Sequence, residues 1–140
     1  MMRSLIALLA FASPAAAWEF SPTPVCTLSH MTDDAEISVT YDVAAVEPYA
    51  IAITGPGLQP APVFAIQFQG AAGLLISTDR HRLDGDTVTV SDRGFGNVLN
   101  GIEFSDTAVA LLGDATISFP LEGADDPMQA FRACVAAPIA

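Results

Sequence analysis

The stretch LLISTDRHRLDGDTVTVSDR, residues 74–93, decides the fold because it carries the clearest hairpin signal in the chain. Asp84 and Gly85 readily supply the positive φ angles that a two-residue type I′ turn needs. The residues on either side are rich in Leu, Ile, Val and Thr, which are typical of strands. With Asp84 and Gly85 as the turn, Leu83 faces Asp86 across the ladder, and every second residue shares a face. The stretch therefore predicts two long antiparallel strands joined by a tight turn.

This register places three of the chain's five arginines on one face, in a sequence that contains no lysine. Guanidinium groups bind carboxylates and phosphates in bidentate fashion, and neighbouring hydroxyl groups add further donors. The face is therefore a candidate site for an anion, and the alternative is a solvated face whose arginines pair with nearby acids. The residues predicted to bind the ligand are Arg80, Arg82, Arg93, Thr78 and Thr89.

The opposite face of the same hairpin carries His81 and Asp79, two positions apart and so side by side. Such a pair suits general-base chemistry, which makes a small hydrolase-like enzyme the alternative function. The neighbouring Leu83, Val88 and Val90 favour instead a histidine at the edge of the core, hydrogen-bonded to Asp79. We therefore predict no catalytic residue, and the enzyme question stays open with the balance towards a non-enzyme.

Alternating apolar and polar residues recur along the chain and predict further antiparallel strands. Gly113-Asp114 predicts a second two-residue hairpin turn. About eight strands joined by tight turns indicate a mainly β fold, an antiparallel β-sandwich or small barrel. The strand segments besides those of the first hairpin are residues 25–30, 36–42, 49–54, 63–69, 107–112 and 115–121.

Two short helices are predicted beside the strands. In residues 94–103, apolar side chains recur at i, i+3, i+4 and i+7, which favours a helix over a hairpin turn at Asn100-Gly101. Gly94 and Gly96 permit the sharp change from strand to helix. Near the C-terminus, Asp126 is expected as the N-cap of a helix with a proline at its first position.

The N-terminus has the pattern of a signal peptide at residues 1–17, which leaves residues 18–140 as a single β-rich domain. Arg3 is followed by a short apolar run, and Ala15 to Ala17 form a small-residue cleavage site. We therefore expect a periplasmic or secreted protein with no membrane span after cleavage. In such an oxidising compartment, the only two cysteines, Cys26 and Cys134, are expected to form a structural disulfide.

The charge of the chain restricts its partners. A net charge of −11 repels nucleic acid and anionic membranes, since phosphate binding depends on basic side chains. The two histidines lack the spacing of metal ligands, and the acidic residues form no EF-hand pattern. The sequence thus predicts no cofactor and no metal, and the expected partner is an unidentified small anion or a protein.

Four blocks of the sequence carry a resemblance to a known family. They resemble small exported bacterial proteins of unknown function that often carry the label of the excinuclease ABC helicase component. That label does not describe this chain, because a DNA-repair helicase needs a P-loop lysine. The blocks are WEFSPTPVCTLSH (18–30), STDRHRL (77–83), SDRGFGNVLNGIEF (91–104) and FRAC (131–134).

The layout of helix, hairpin, a Leu121-Glu122-Gly123 step and a terminal helix is also similar to the invasion-associated locus B family. Both resemblances imply an exported β-rich domain, and neither supplies catalytic residues. The sequence as a whole predicts an exported, non-enzymatic binding or accessory domain that uses the arginine face. A structural envelope protein is the remaining alternative.

Overall fold

The computed structural model describes residues 17–71 and 73–137, so the predicted signal peptide lies almost entirely outside the described residues. The described part contains ten strands and two helices. The strands are β1 (Glu19–Ser21), β2 (Cys26–Met31), β3 (Glu36–Tyr41), β4 (Tyr49–Thr54), β5 (Phe64–Gln69), β6 (Leu74–Thr78), β7 (Arg82–Asp84), β8 (Thr87–Asp92), β9 (Thr107–Leu112) and β10 (Ala115–Pro120), and the helices are α1 (Gly96–Phe104) and α2 (Asp125–Ala136).

The strands form two antiparallel sheets, one of six strands in the order β1-β2-β3-β4-β8-β7 and one of four in the order β10-β9-β5-β6. The alternating side chains of the two sheets meet in one core, in which Phe68, Phe119 and Phe131 are fully buried. The predicted antiparallel β-sandwich is therefore confirmed. The strand number is ten because β1 was not anticipated and because the predicted strand at residues 74–83 is divided in two.

The stretch at residues 74–93 does not form one long hairpin, so that prediction is wrong. Leu74–Thr78 pairs with β5 in the four-stranded sheet, with Ile76 opposite Ile66. The chain then crosses to the other sheet, where β7 pairs with β8 and Leu83 lies opposite Val88. Alternation along a segment reports which side chains share a face, but it does not report which strand is the neighbour.

The tight turn itself lies one position further along than predicted. Asp84 pairs with Thr87, so the two central residues are Gly85 and Asp86. Gly85 has a φ of 61° and Asp86 has a negative φ, which is the pattern of a type II′ turn. The actual register differs from the predicted one by two residues. Because side chains alternate with a period of two, Arg82 still faces outward and Leu83 inward.

Both predicted helices are present. The helix α1 includes Asn100 and Gly101, so these residues do not form a turn. A Cβ atom at Gly101 would lie 2.5 Å from the ring of Phe68, and glycine therefore permits the close approach of α1 to the core. The helix α2 begins at Asp125 with Ala124 as its N-cap, so the predicted cap at Asp126 is wrong by two positions.

Helix α2 is attached to the six-stranded sheet both by packing and covalently. Met128 and Phe131 are fully buried, and the predicted disulfide between Cys26 and Cys134 is confirmed, with 6.0 Å between the Cα atoms. Trp18 is buried beside β2, where it stacks on His30 and donates its indole N–H to the carbonyl oxygen of Pro120. Neither of these helices is long and apolar enough to cross a membrane.

Candidate ligand-binding site

A cleft opens between the two sheets where β8 and β6 diverge and α1 begins. It encloses about 410 Å³, within the size range of small-molecule sites in proteins. The first turn of α1 closes one side, and the inner faces of both sheets form the rest. The lining residues are Ile51, Phe64, Ile66, Ile76, Ser77, Thr78, Val90, Asp92, Gly94, Phe95, Gly96, Asn97 and Val98.

The floor of the cleft is apolar and belongs to the core of the sandwich. Ile51 comes from the six-stranded sheet, while Phe64 and Ile66 come from the four-stranded sheet, and each is at most 4 % exposed. Ile76 and Val90 form the upper walls and are half-buried. An apolar molecule that enters the cleft therefore removes both its own surface and these side chains from water.

The polar groups of the cleft are few and include one charge. Asp92 is the last residue of β8, is half-buried, and accepts a hydrogen bond from the backbone N–H of Arg93 at 2.7 Å. Ser77, Thr78 and Asn97 supply uncharged polar atoms. Since no basic side chain is among the lining residues of this described cavity, the Asp92 carboxylate sets the sign of its electrostatic potential.

The start of α1 brings backbone donors to the same place. The N-cap residue is Phe95, and no side chain caps the first turn of the helix. The N–H groups at the first helical positions have no partner within a helix, and they carry the positive end of the helix dipole. Gly96, Asn97 and Val98 therefore present hydrogen-bond donors beside an acidic acceptor.

Aromatic and polar contacts hold this wall of the cleft in position. The ring of Phe95 stacks on Tyr49 at 5.4 Å between centroids, and Tyr49 in turn contacts Tyr41 at 4.9 Å. Burial raises the pKa of Tyr49 above its ordinary value, the neighbouring Tyr41 raises it further, and Arg132 opposes both effects. The phenol of Tyr49 is therefore neutral at physiological pH.

Helix α2 braces α1 through a single arginine. Arg132 donates from Nε to Glu103 Oε1 and from Nη2 to Asn100 Oδ1, each at 3.0 Å. Gln129 donates to the same Glu103 oxygen at 2.9 Å. Because the Cys26–Cys134 disulfide fixes α2 to β2, the position of the cleft wall depends on both ends of the chain.

The predicted anion-binding residues lie on the outer side of the sandwich, and only some of them are brought together. Arg80 and Arg82 line a shallow depression, in which Arg80 forms an ion pair with Glu47. Arg93 is exposed and does not line that depression. Thr89 lies opposite Arg82 in the ladder, whereas Thr78 belongs to the other sheet and lines the cleft.

The predicted hydrogen bond between His81 and Asp79 is wrong. The Nε2 atom of His81 lies 2.8 Å from the carbonyl oxygen of Ala61, so Nε2 carries the proton and donates it. The Nδ1 atom is buried and has no partner among the described residues, and Asp79 is exposed. The ring also packs against Phe64, 6.2 Å between centroids, as a histidine at the edge of the core does.

The cleft was missed at the level of sequence because its lining residues look like ordinary core residues. One signal does point to it. Asp92 has the same parity as Val88 and Val90 in β8, so a carboxylate falls on the inward face of a strand. A charged residue at an inward position indicates either an ion pair or a site.

Within the described ranges, no three His, Cys, Asp or Glu side chains are placed to hold a metal ion. No protein-family model, curated protein or solved structure matches the chain. The two family resemblances therefore stay predictions.

Proposed function

We propose that the protein is an exported binding domain that holds a small apolar molecule with a hydroxyl-type polar end in the cleft between β6 and β8. The observation that carries the proposal is the arrangement of the cleft, an apolar floor with a few polar groups on one side. Small-molecule sites in proteins have this composition, in which apolar walls supply the affinity and a few polar groups fix the orientation.

The polar groups favour one kind of ligand end. The Asp92 carboxylate accepts hydrogen bonds and repels anions, while the uncapped N–H groups of α1 donate hydrogen bonds. A hydroxyl group satisfies both because it donates and accepts. A carboxylate of the same chain length would lie near Asp92, where two like charges about 4 Å apart cost about 1 kcal/mol even in bulk water.

Export is supported by the signal-peptide pattern and by the disulfide. The Cys26–Cys134 bridge closes a separation of 108 residues, and such bridges persist in oxidising compartments. We therefore place the working protein in the periplasm or outside the cell. There it would meet small amphiphiles directly.

The proposal is tested by calorimetric titration of the oxidised protein with 1-octanol, octylamine and octanoate, which share one chain length. We expect saturable binding of octanol and at least about fivefold weaker binding of octanoate. In Asp92→Asn, the difference between octanol and octanoate should largely disappear. If octanoate binds the wild-type protein as tightly as octanol does, Asp92 does not select the ligand end.

The location of the site is tested on one strand with a matched pair of variants. Ile76 lines the cleft, whereas its neighbour Leu75 points to the other side of β6 and is 57 % exposed. Ile76→Thr should weaken octanol binding about threefold to tenfold, because roughly one buried methylene is lost. Leu75→Thr should leave the affinity unchanged. Equal effects of the two variants, or no saturable binding of octanol by the wild-type protein, would overturn the proposal.

A further inference from the structure

A second concave region lies on the outer side of the six-stranded sheet, at the edge formed by β7. This depression encloses about 240 Å³ and is lined by Glu47, Arg80, Arg82 and Ser91. Its chemistry is the reverse of that of the cleft, since it combines two guanidinium groups with one hydroxyl and one carboxylate. It holds two of the few basic residues in a chain of net charge −11.

Regular structure positions two of these residues on the sheet. Arg82 lies in β7 opposite Thr89, and Ser91 lies two residues further along β8 on the same outward face. Ser91 also pairs with Ala50 of β4, which fixes its place in the ladder. The side chains of Arg82 and Ser91 therefore start from rigid backbone rather than from a loop.

The two remaining residues reach the depression from connecting segments. The backbone N–H of Arg80 donates to Thr78 Oγ1 at 3.0 Å, which anchors the segment that crosses between the sheets. Glu47 lies just before β4 and pairs with Arg80 through its Oε2 atom. The side chains of Arg80 and Glu47 are 58 % and 36 % exposed, so water competes for both partners.

We propose that the depression binds a small oxyanion of the phosphate or carboxylate class, and that Glu47 is its internal competitor. In the absence of ligand, the Glu47 carboxylate occupies one of the two guanidinium groups. Arg82 forms no ion pair with any residue in the described ranges and is available to the incoming anion. Exposed ion pairs are weak, so a ligand that engages both arginines displaces Glu47 from Arg80.

This assignment narrows the anion-binding face expected from the sequence and does not depend on the cleft. Arg80, Arg82 and Ser91 hold the anion, whereas Arg93 lies outside the depression and Thr78 serves as a backbone anchor. A ligand for this site is anionic and polar, and the cleft disfavours such a ligand. The two sites therefore respond to different probes and can be tested separately.

The test is a titration of the oxidised mature protein with inorganic phosphate, and in a second series with acetate, followed by amide and side-chain NMR shifts at fixed ionic strength. We expect saturable shifts at Arg82 and Ser91, accompanied by a shift of the Glu47 carboxyl carbon as that group is released. Saturation by phosphate alone assigns the site to phosphate groups. Saturation by both assigns it to oxyanions in general.

Four variants separate the proposal from general electrostatics. Arg82→Gln should weaken phosphate binding at least about threefold, whereas Arg93→Gln, which also removes one exposed arginine, should change it little. Glu47→Gln should strengthen binding about threefold because it removes the competitor. Asp84→Asn removes the same unit charge from β7 outside the depression, and its effect should be smaller.

The proposal is overturned if Glu47→Gln binds phosphate no more tightly than Asp84→Asn does. It is also overturned if Arg93→Gln weakens binding as much as Arg82→Gln does, or if no residue of the depression shifts on titration. All four side chains are exposed or half-buried, so each variant is expected to fold.

Discussion

Replacing Gly101 by alanine should destabilise the protein, although alanine is the better helix former. Gly101 lies inside α1, and an added Cβ atom would come within 2.5 Å of Cδ2 and 2.6 Å of Cε2 of Phe68. Carbon atoms pack best at about 3.5–4.0 Å, so the helix or the ring must move by roughly 1 Å. Phe68 is fully buried in β5, and close-packed surroundings leave its ring little room.

The expected magnitude combines two opposing effects. Alanine in a helix interior stabilises by about 0.8–1.0 kcal/mol relative to glycine. Forcing an additional methyl group into a packed core costs about 1–3 kcal/mol, and the short approach here places the cost in the upper half of that range. The free energy of unfolding should therefore fall by about 1–2 kcal/mol.

Urea unfolding followed by circular dichroism and by the fluorescence of Trp18, the only tryptophan, measures this change. Phe68→Leu and the double variant complete a double-mutant cycle. Leucine vacates part of the space that the ring fills, so the two losses should be less than additive. Additive losses would show that Gly101 and Phe68 do not press against each other.

A gain in stability close to the helix-propensity value would refute the reasoning directly. In that case the new methyl group would have free space, and α1 would not pack on Phe68. The same result would weaken the account of the cleft, because α1 supplies one of its walls. Binding of octanol by Gly101→Ala reports on that wall independently of stability.

Two further predictions concern the covalent and the electrostatic ties of the fold. Replacing Cys26 and Cys134 together by serine should lower the free energy of unfolding by at most about 4–5 kcal/mol, because the bridge closes a loop of 108 residues; an unchanged urea midpoint would contradict this. The pKa of Tyr49 is higher in the folded than in the unfolded state, where it lies near 10. The stability contribution of neutral Tyr49 is therefore complete below about pH 10 and is lost as the pH rises through the folded pKa. Absorbance titration at alkaline pH should show Tyr49 ionising late, and Tyr49→Phe should reduce the alkaline loss of stability; an identical loss in both proteins would refute this.

Local patterns in the sequence were sufficient for much of the fold. Gly113 and Asp114 form the two-residue turn between β9 and β10 as expected, because the requirement for a positive φ is local. The apolar spacing of α1 and the pairing of Cys26 with Cys134 follow from periodicity and from the cysteine count. Each of these features depends on neighbouring residues or on a choice with one simple answer.

The division of residues 74–83 between two sheets depends on partners that are distant in sequence. Ile76 pairs with Ile66 in one sheet and Leu83 pairs with Val88 in the other, yet the alternation continues through both strands. The pattern is the same whether a strand continues straight or crosses over. Only the competition between β5 and β8 as partners for β6 decides the outcome, and that is a tertiary effect.

The same crossing accounts for both candidate sites, and this is why neither was visible as a unit in the sequence. It places Thr78 at the end of β6, where its side chain lines the cleft. The Thr78 hydroxyl accepts the N–H of Arg80 at 3.0 Å, and from that point the chain faces outward. Arg80 and Arg82 thus reach the outer depression within four residues of a residue of the inner cleft. A segment that leaves one sheet and joins the other necessarily presents one part of itself to the gap between the sheets and the next part to solvent. In this protein the inner part meets Asp92 and apolar walls, while the outer part carries the arginines, so two sites of opposite charge preference lie on either side of one crossing.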